Sequence, residues 1–577
     1  MRLVLILTLA CVSFTFAQQK PEFLGDKGLA EEYFRYGNFE FALEELLILH
    51  ARKPNKIEYQ YQLGVCYNNT FRDKKKALEY LEFVVNSGEY EKEALFELGN
   101  AYHQNHMFDK AIAMYERFSK EGEGDSILVD KFVEFSLNAK EMIKFPLQVT
   151  FENLGKAVNS EMKDYLPYVA ENESEVVFTT KRIGTSGRYF DFDGQTVSDV
   201  YAAKAKINGG WRRSKSISPF INTENPEELA GISRNNMHLI YSTNNFGTED
   251  LSICSKEDPQ DRSFSKPIKL SSLNTSDSES AAAITNDGEF IVFSSTRPEG
   301  YGGSDLYISK RLPNRKWGEA INLGPEVNTP FDDNYPSFSS EDNVLYFASE
   351  GHTSMGGYDL FKTSFDKWTN RWKVPENLGY PLNTVYDDYS VCFNDNGKFA
   401  YVAQYRGDSF GDYDIYRVNF LEKDRKLTVI NGIIKSDVAL EKLSDSLKTQ
   451  VKRLEAQIQK MSLLDRSARR DSLIGLKELE VKATNKRIDY YTPVTLNDIR
   501  VYDKKTNELY GSYKPNQNSG RYVIILPPGI YQLKIKNVGF EDYEETYNIQ
   551  SRVYYKPEIK REIHLTPHPE YIRYTGR

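Results

Sequence analysis

Gly324-Pro325-Glu326-Val327-Asn328-Thr329-Pro330-Phe331-Asp332-Asp333-Asn334-Tyr335-Pro336-Ser337-Phe338 opens the stretch that decides the fold. It continues through Val344-Leu345-Tyr346-Phe347-Ala348-Ser349 and Gly356-Gly357-Tyr358-Asp359-Leu360-Phe361 to Trp372. Its parts return along the chain. The Asn recurs at 159, 222, 274, 328 and 383, and an acidic residue lies five positions after each: Asp164, Glu227, Glu279, Asp333 and Asp388. An Asp placed on a third strand recurs at 199, 250, 305, 359 and 414, always before an apolar residue. Trp211, Phe264, Trp317 and Trp372 follow four of these Asp residues by 12 to 14 positions. A period of roughly 52 to 63 residues with four short strand patterns per repeat predicts propeller blades.

The way the ring closes is also written in the chain. Blades end in a fourth strand such as Trp317-Gly318-Glu319-Ala320-Ile321-Asn322-Leu323-Gly324, but nothing of this kind follows Asp414. The missing piece stands before the first blade, as Val149-Thr150-Phe151-Glu152-Asn153-Leu154-Gly155. A strand from 147–155 is therefore expected to complete the last blade and remove its open edge. Five blades over 146–421 is the reading; six, with a degenerate blade between 180 and 210, is the alternative.

Before the blades the period is helical. Ala30, Tyr33, Ala42, Leu46, Leu49 and Pro54 form one set, and Leu63-Gly64, Tyr67, Ala77, Leu81 and Val84 a second, with one inserted residue near Arg72. Leu98-Gly99, Tyr102, Ala111, Tyr115 and Phe118 make a third. This is the spacing of tetratricopeptide repeats, in which small residues let paired helices approach and aromatics fill the gaps. A capping helix is expected over Ser126–Ile143, started by Asp125 or Ser126. The α-solenoid so formed, over 18–145, has a concave face, and Tyr61, Asn68, Phe96, Asn100 and His103 are the candidate partner-binding residues on it. His103 and His106 share a helix without an intervening Glu or a third ligand, so packing or solvation is expected of them rather than metal.

After the blades, strand patterns at Val429–Ile434, Ile499–Tyr502, Gly520–Leu526, Ile530–Ile535 and Ile559–Leu565 describe a small seven-stranded β-sandwich over 422–567. Leu440, Leu443, Leu447, Val451, Leu454, Ile458 and Met461 are spaced by threes and fours inside it, and Leu473, Leu476 and Leu479 follow. Two amphipathic helices over about 438–488 would form a coiled-coil hairpin inserted between strands. Residues 568–577 are a short tail. The fold class is thus multidomain α+β: solenoid, propeller, then sandwich.

Length and composition set the remaining bounds. The chain has 577 residues and a formal charge of −9, which speaks against a nucleic-acid partner. Its four Cys, at 11, 66, 254 and 392, show neither a disulfide framework nor a zinc spacing. Met1 to Ala17 reads as a signal peptide: Arg2, an apolar core from Leu3 to Ala10, and Thr15-Phe16-Ala17 before Gln18. A lipoprotein leader ending at Cys11 is the competing reading, weakened by the missing Leu three residues earlier. No later segment has the 18 consecutive apolar residues of a membrane-spanning helix. Export to the periplasm is expected.

The order of tetratricopeptide repeats, TolB-like propeller repeats and a carboxypeptidase-regulatory-like sandwich resembles PorE-type proteins of Bacteroidota. Asn-Thr with the acid five after the Asn, and Gly302-Gly303-Ser304-Asp305-Leu306-Tyr307, are the motifs that carry the resemblance. It implies a periplasmic scaffold associated with outer-membrane machinery of type IX secretion or gliding, with partners of the PorP/SprF type. An OmpA-like domain usually ends such chains. None is encoded before Arg577, so peptidoglycan is not expected as a partner.

Catalytic constellations are missing from the sequence: it holds no Gly-x-Ser-x-Gly, His-Glu-x-x-His or phosphate loop. Asp191-Phe192-Asp193-Gly194 lacks the later Glu of a calcium loop and is expected to turn the chain. Asp332-Asp333 and Asp387-Asp388 could pass for catalytic pairs, but an acid repeated in every blade is expected to pin a loop through backbone N–H groups. The expectation is a non-catalytic scaffold without a cofactor. The alternatives are a glycan- or peptide-processing enzyme on the propeller face and a soluble sugar-binding module.

Overall fold

The computed structural model describes residues 20–566 except 122–125, 171–172, 192, 246, 259–260, 262, 340–342, 367–368, 395–396, 422–426, 437–450, 460–476, 478–480, 482–496, 538–539 and 550–557. The expected leader, the tail from 568, the Asp125 cap and most of the expected hairpin lie outside those residues. The architecture is mixed α+β: helices first, then antiparallel sheets, then two further sheets packed face to face.

Seven helices open the chain: α1 (Lys27–Arg35), α2 (Phe39–Arg52), α3 (Ile57–Asn69), α4 (Lys74–Ser87), α5 (Glu93–Gln104), α6 (Phe108–Glu121) and α7 (Ser126–Met142). Short polar side chains start three of them. Asp26, Asn38 and Asp73 accept the N–H groups of Leu29, Phe41 and Lys75 at 3.0–3.1 Å, satisfying donors that a helix end leaves open. Consecutive helices pack as antiparallel pairs, and their contact needs the two glycines of the repeat. A Cβ on Gly64 would sit 2.5 Å from Leu81 Cγ, and one on Gly99 2.5 Å from the Tyr115 ring. The core is a continuous stack of Leu43, Leu46, Leu63, Leu81, Leu98 and Tyr115, each almost fully buried.

Five four-stranded antiparallel sheets follow. The first strands of the sheets, Asp164–Val169, Glu227–Ile232, Ala282–Ile284, Asp333–Phe338 and Val391–Phe393, lie side by side around a ring. Ser337 Oγ donates to the Val391 carbonyl at 3.1 Å across one of these joints. The strand Val149–Asn153 pairs with Asp414–Phe420, Val149 opposite Phe420 and Asn153 opposite Tyr416, and so supplies the outer strand of the last sheet. Apolar layers between neighbouring sheets hold the ring together, with Phe178, Leu239, Phe293, Phe347 and Val402 at their centres.

The last part is a sandwich of a three-stranded and a four-stranded sheet. In the smaller one, Thr428–Ser436 pairs antiparallel with Arg521–Leu526 and parallel with Glu558–Leu565. Between Thr428–Ser436 and the strand Ile499–Asp503 of the larger sheet lies the insertion, of which residues 451–459, 477 and 481 are described and helical, with Val451 and Leu454 buried one turn apart. Lys477 Nζ donates to Gln457 Oε1 at 2.7 Å.

These parts meet at α7. Lys131 on it pairs with Glu350 of the ring, and Asn138 Nδ2 donates to the Ser354 carbonyl at 2.7 Å. Between them in sequence, Glu134 accepts from Arg521 Nη1 at 2.8 Å and from Ser519 Oγ at 3.0 Å, both of the sandwich. Met142 and Ala139 share an apolar cluster with Met355 and Val385 of the ring and Ile525 of the sandwich. The expected end cap of the helical stack is a wedge between all three parts.

Candidate functional site

Each of the repeated polar residues has a structural use. Asn159, Asn222, Asn274, Asn328 and Asn383 each bracket one backbone unit, accepting its N–H and donating to its carbonyl at 2.7–3.0 Å. The bracketed residue follows the third-strand Asp in every case: Ile415, Val200, Leu251, Leu306 and Leu360. Asn159 therefore belongs to the last sheet, beside the strand that closes it. The acid five residues after each Asn accepts the N–H of the Ser or Thr in between: Ser160, Thr223, Thr275, Thr329 and Thr384. Each also takes that residue's hydroxyl hydrogen. Burial raises Asp164, Asp333, Glu227 and Asp388, the last two to about 7 and about 8, because desolvation outweighs these bonds.

The five residues expected on an open concave face are engaged inside the protein. Asn68 is 4% exposed, and its Nδ2 donates to the Glu97 carbonyl and to Glu97 Oε2, both at 2.9 Å. Asn100 Oδ1 accepts the Tyr115 hydroxyl at 2.8 Å. His103 Nδ1 meets Ser136 Oγ of α7 at 2.8 Å, and burial lowers its imidazole to about 3. Phe96 packs on Tyr115, Phe118 and Phe132, while Tyr61 lies against the helical core. Among the described residues no cluster of His, Cys, Asp or Glu could hold a metal ion. Asp193 of the expected turn pairs with Lys181, and Gly194 N closes the turn on the Asp191 carbonyl at 3.0 Å.

What the concave face meets is the ring. Asn68, Asn100 and His103 line one wall of a cavity of about 650 Å³, and Lys163, Asp387, Tyr389, Asp412 and Tyr413 line the other. Phe71, in the turn between α3 and α4, reaches across it. Its ring stands 4.6 Å from Tyr405, 5.0 Å from Tyr413 and 5.4 Å from Tyr386. Lys74 Nζ sits 4.5 Å over Phe71 and donates to the Asn68 carbonyl at 2.5 Å. Lys163 Nζ is held among three rings, 4.5 Å from Tyr389, 4.6 Å from Tyr165 and 5.3 Å from Tyr413. Burial lowers both ammonium groups, Lys74 to about 7.

No family model matches this chain, and no curated protein does. Among solved structures, about half of the chain is similar to several. TolB from Acinetobacter baumannii is 12% identical with a TM-score of 0.31, over 50% of this chain and 70% of that one. An endo-arabinase from Bacteroides thetaiotaomicron is 13% identical with a TM-score of 0.32, over 47% of this chain and 99% of that one. An α-L-arabinofuranosidase from Lactobacillus brevis is 10% identical with a TM-score of 0.31, over 49% and 95%. Likeness at this level decides nothing about activity.

Phe71, Lys74 and Lys163 escaped the sequence reading, although two signals pointed to them. The turn inside the second helical pair, 70–73, is one residue longer than its counterparts at 36–38 and 105–107, and it carries Phe71. The position before each repeated acid reads Lys163, Pro226, Ser278, Asp332 and Asp387, so a cation stands on a rim whose other side is acidic. Asp332 and Asp387 use that position to accept Ser304 N at 2.7 Å and Tyr358 N at 3.0 Å from the preceding sheet. Lys163 has no such duty.

Proposed function

We propose that this protein is a non-catalytic periplasmic scaffold: tetratricopeptide repeats, a five-bladed propeller and a carboxypeptidase-regulatory-like sandwich joined into one body. The observation that carries the reading is the use of the repeated carboxylates. All five accept a backbone N–H and a hydroxyl from the same relative position. A glycosidase site of the common kind needs two carboxyls in different environments, one held protonated and one ionised. Five equivalent loop anchors do not supply that asymmetry.

The partners we assign are outer-membrane proteins of secretion or gliding machinery, of the PorP/SprF type, and this rests on the PorE-type domain order. Contacts to them fall on outer surfaces and on the inserted hairpin, since the concave helical face is turned to the ring. In-cell crosslinking of a tagged full-length chain should recover an outer-membrane protein in reproducible yield. Turnover of a glycan or peptide by the purified chain, or recovery of cell-wall fragments alone, would overturn the reading.

A further inference from the structure

We propose that the face of the sheet ring turned away from the helices docks on an anionic lipid bilayer, through two β-hairpins rich in cations and tipped by an exposed aliphatic residue. This goes beyond the scaffold reading and does not depend on it, because the face belongs to the ring whatever proteins the other surfaces hold.

Strand direction fixes which face this is. Lys163, next to the first strand Asp164–Val169, and Asp412, two residues before the third strand Asp414–Phe420, line the cavity against the helices. First and third strands therefore start on the helix side. A third strand of six residues is about 20 Å long, so it ends on the opposite face. There the chain turns after Asp199–Lys204 of the first sheet and after Asp305–Lys310 of the third. The two turns share one geometry. Lys206 N donates to the Gly210 carbonyl at 2.9 Å and Leu312 N to the Lys316 carbonyl at 2.8 Å, and the bridges Ala205–Trp211 and Arg311–Trp317 close them. Trp211 and Trp317 pack into the apolar layers of the ring, which fixes both hairpins in place. The sandwich comes up to the ring at the fourth sheet, where Glu558 and Trp372 line one cleft, and so leaves these hairpins open.

Both hairpins are purely basic. The first carries Lys204, Lys206, Arg212 and Arg213, the second Lys310, Arg311, Arg315 and Lys316, and neither Lys204–Arg213 nor Lys310–Trp317 holds an acid. Among the described residues none of these cations has a carboxylate within 4.0 Å. In a chain of formal charge −9 that is a local reversal of sign. Acids do stand on the same face. Glu175 lies opposite Lys204, Asp287 and Glu289 stand in the turn beside the second hairpin, and Glu257, Asp258 and Asp261 belong to the turn of the sheet between. Asp287 accepts from Thr285 Oγ1 at 2.5 Å and Glu289 N at 2.9 Å, and Asp261 accepts the N–H groups of Glu257 and Asp258 at 3.1 and 3.0 Å. These two hold their own loops and leave the hairpin cations to solvent.

The tips decide what the cations meet. Ile207 is 98% exposed at the turn of the first hairpin, and Leu312 is 42% exposed at that of the second. An acidic protein or polysaccharide would use the charges and leave both aliphatic side chains in water. A bilayer takes the two together, headgroup phosphates on the cations and the tips at the acyl boundary. Near such a surface each Lys or Arg multiplies the affinity by about fivefold.

Flotation of the full-length chain tests this with vesicles of phosphatidylcholine alone and of phosphatidylcholine with about 30% phosphatidylglycerol. At low salt the chain should float with the acidic vesicles and at least about tenfold less with the neutral ones. Raising the salt to about 1 M shortens the Debye length to about 3 Å and should release most of it. Lys204→Gln, Lys206→Gln, Arg212→Gln and Arg213→Gln together should lower the partition at least about 100-fold, and Ile207→Ser about tenfold, both at the wild-type melting temperature. Equal flotation with both vesicles, none with the acidic ones, or a wild-type partition for the quadruple variant would overturn the proposal. So would soluble polygalacturonate that binds more tightly than the acidic vesicles and is indifferent to Ile207→Ser, which would make the face a polysaccharide site. Should the quadruple variant fail to fold, Ile207→Ser and the two vesicle types on the wild type decide.

Discussion

At the scale of single residues, the molecule repeats one costly solution five times. A carboxyl buried behind a strand must either be desolvated as an anion or hold a proton, and Asp388, 2% exposed, is raised to about 8 in spite of its bonds from Thr384 and Gln404. Glu227 and Asp414 are each raised to about 7 for the same cause. The sign for stability follows. The folded state holds protons that the unfolded chain has released above its ordinary carboxyl pKa, so this contribution is full below about pH 4 and is lost as pH rises to about 7–8. Each such group contributes up to about 1.4 kcal/mol per pH unit in that window. Asp388→Asn should flatten the fall in urea midpoint between pH 5 and pH 8, and an unchanged slope would remove Asp388 from this account. The Asn and the acid could be picked out from sequence because five loops of one geometry demand the same side chains. Tyr61, Asn68, Phe96, Asn100 and His103 were placed on a concave face by periodicity alone. Periodicity gives the direction of a side chain, not what covers it, and here α7 packs on Phe96 and His103 while Asn68, Asn100 and His103 face the ring across a cavity.

Among the elements, the strand Val149–Asn153 matters most for its size. It pairs with Asp414–Phe420, Asn153 Nδ2 donates to Asp414 at 2.7 Å, and Leu154 N donates to the Ile415 carbonyl at 3.1 Å. Its absence would leave Asp414–Phe420 as a bare edge open to pairing with other chains. Burial of Leu154 alone is worth about 1.5–3 kcal/mol. Deleting residues 147–155 should therefore abolish hydrogen-exchange protection at Ile415–Phe420 while leaving α1–α6 protected. Retained protection there would mean that some other element closes the ring. The need for this strand could be read from a repeat that lacked its last piece. The stripe expected of an inserted helical hairpin was equally plain, and Val451, Leu454 and Ile458 are its described part. The longer turn at 70–73 was visible only as a slip in register. What it is for depends on Tyr386, Tyr405 and Tyr413, more than 300 residues further on.

For the molecule as a whole, α7 decides whether three parts behave as one. Sequence patterns describe each part by its own period, and an interface between parts has no period, so relative placement was out of reach. The interface is built from polar pairs set in apolar surroundings. Arg521 and Glu134 are 12% and 16% exposed in their side chains, and Asp130 beside them accepts from Asn518 Nδ2 at 2.8 Å. A pair this enclosed contributes little net stability over an apolar pair of the same shape, but removing one member strands the other charge, at a cost of about 3–5 kcal/mol. Glu134→Ala should then release the sandwich from α7 without unfolding it. Protection at Ile499–Asp503 and Gly529–Ile535, which belong to the far sheet, should stay, while the chain at 514–521, which lies against the helices, becomes open to protease. Glu134→Met combined with Arg521→Met roughly keeps the volume and leaves neither member of the pair unmatched, so it should restore most of the docking, short of the attraction that Asp130 loses to Arg521. If the single and double variants are equally open to protease, the ion pair specifies the interface. If neither opens, the apolar cluster of Met142, Met355, Val385 and Ile525 holds the parts together without it.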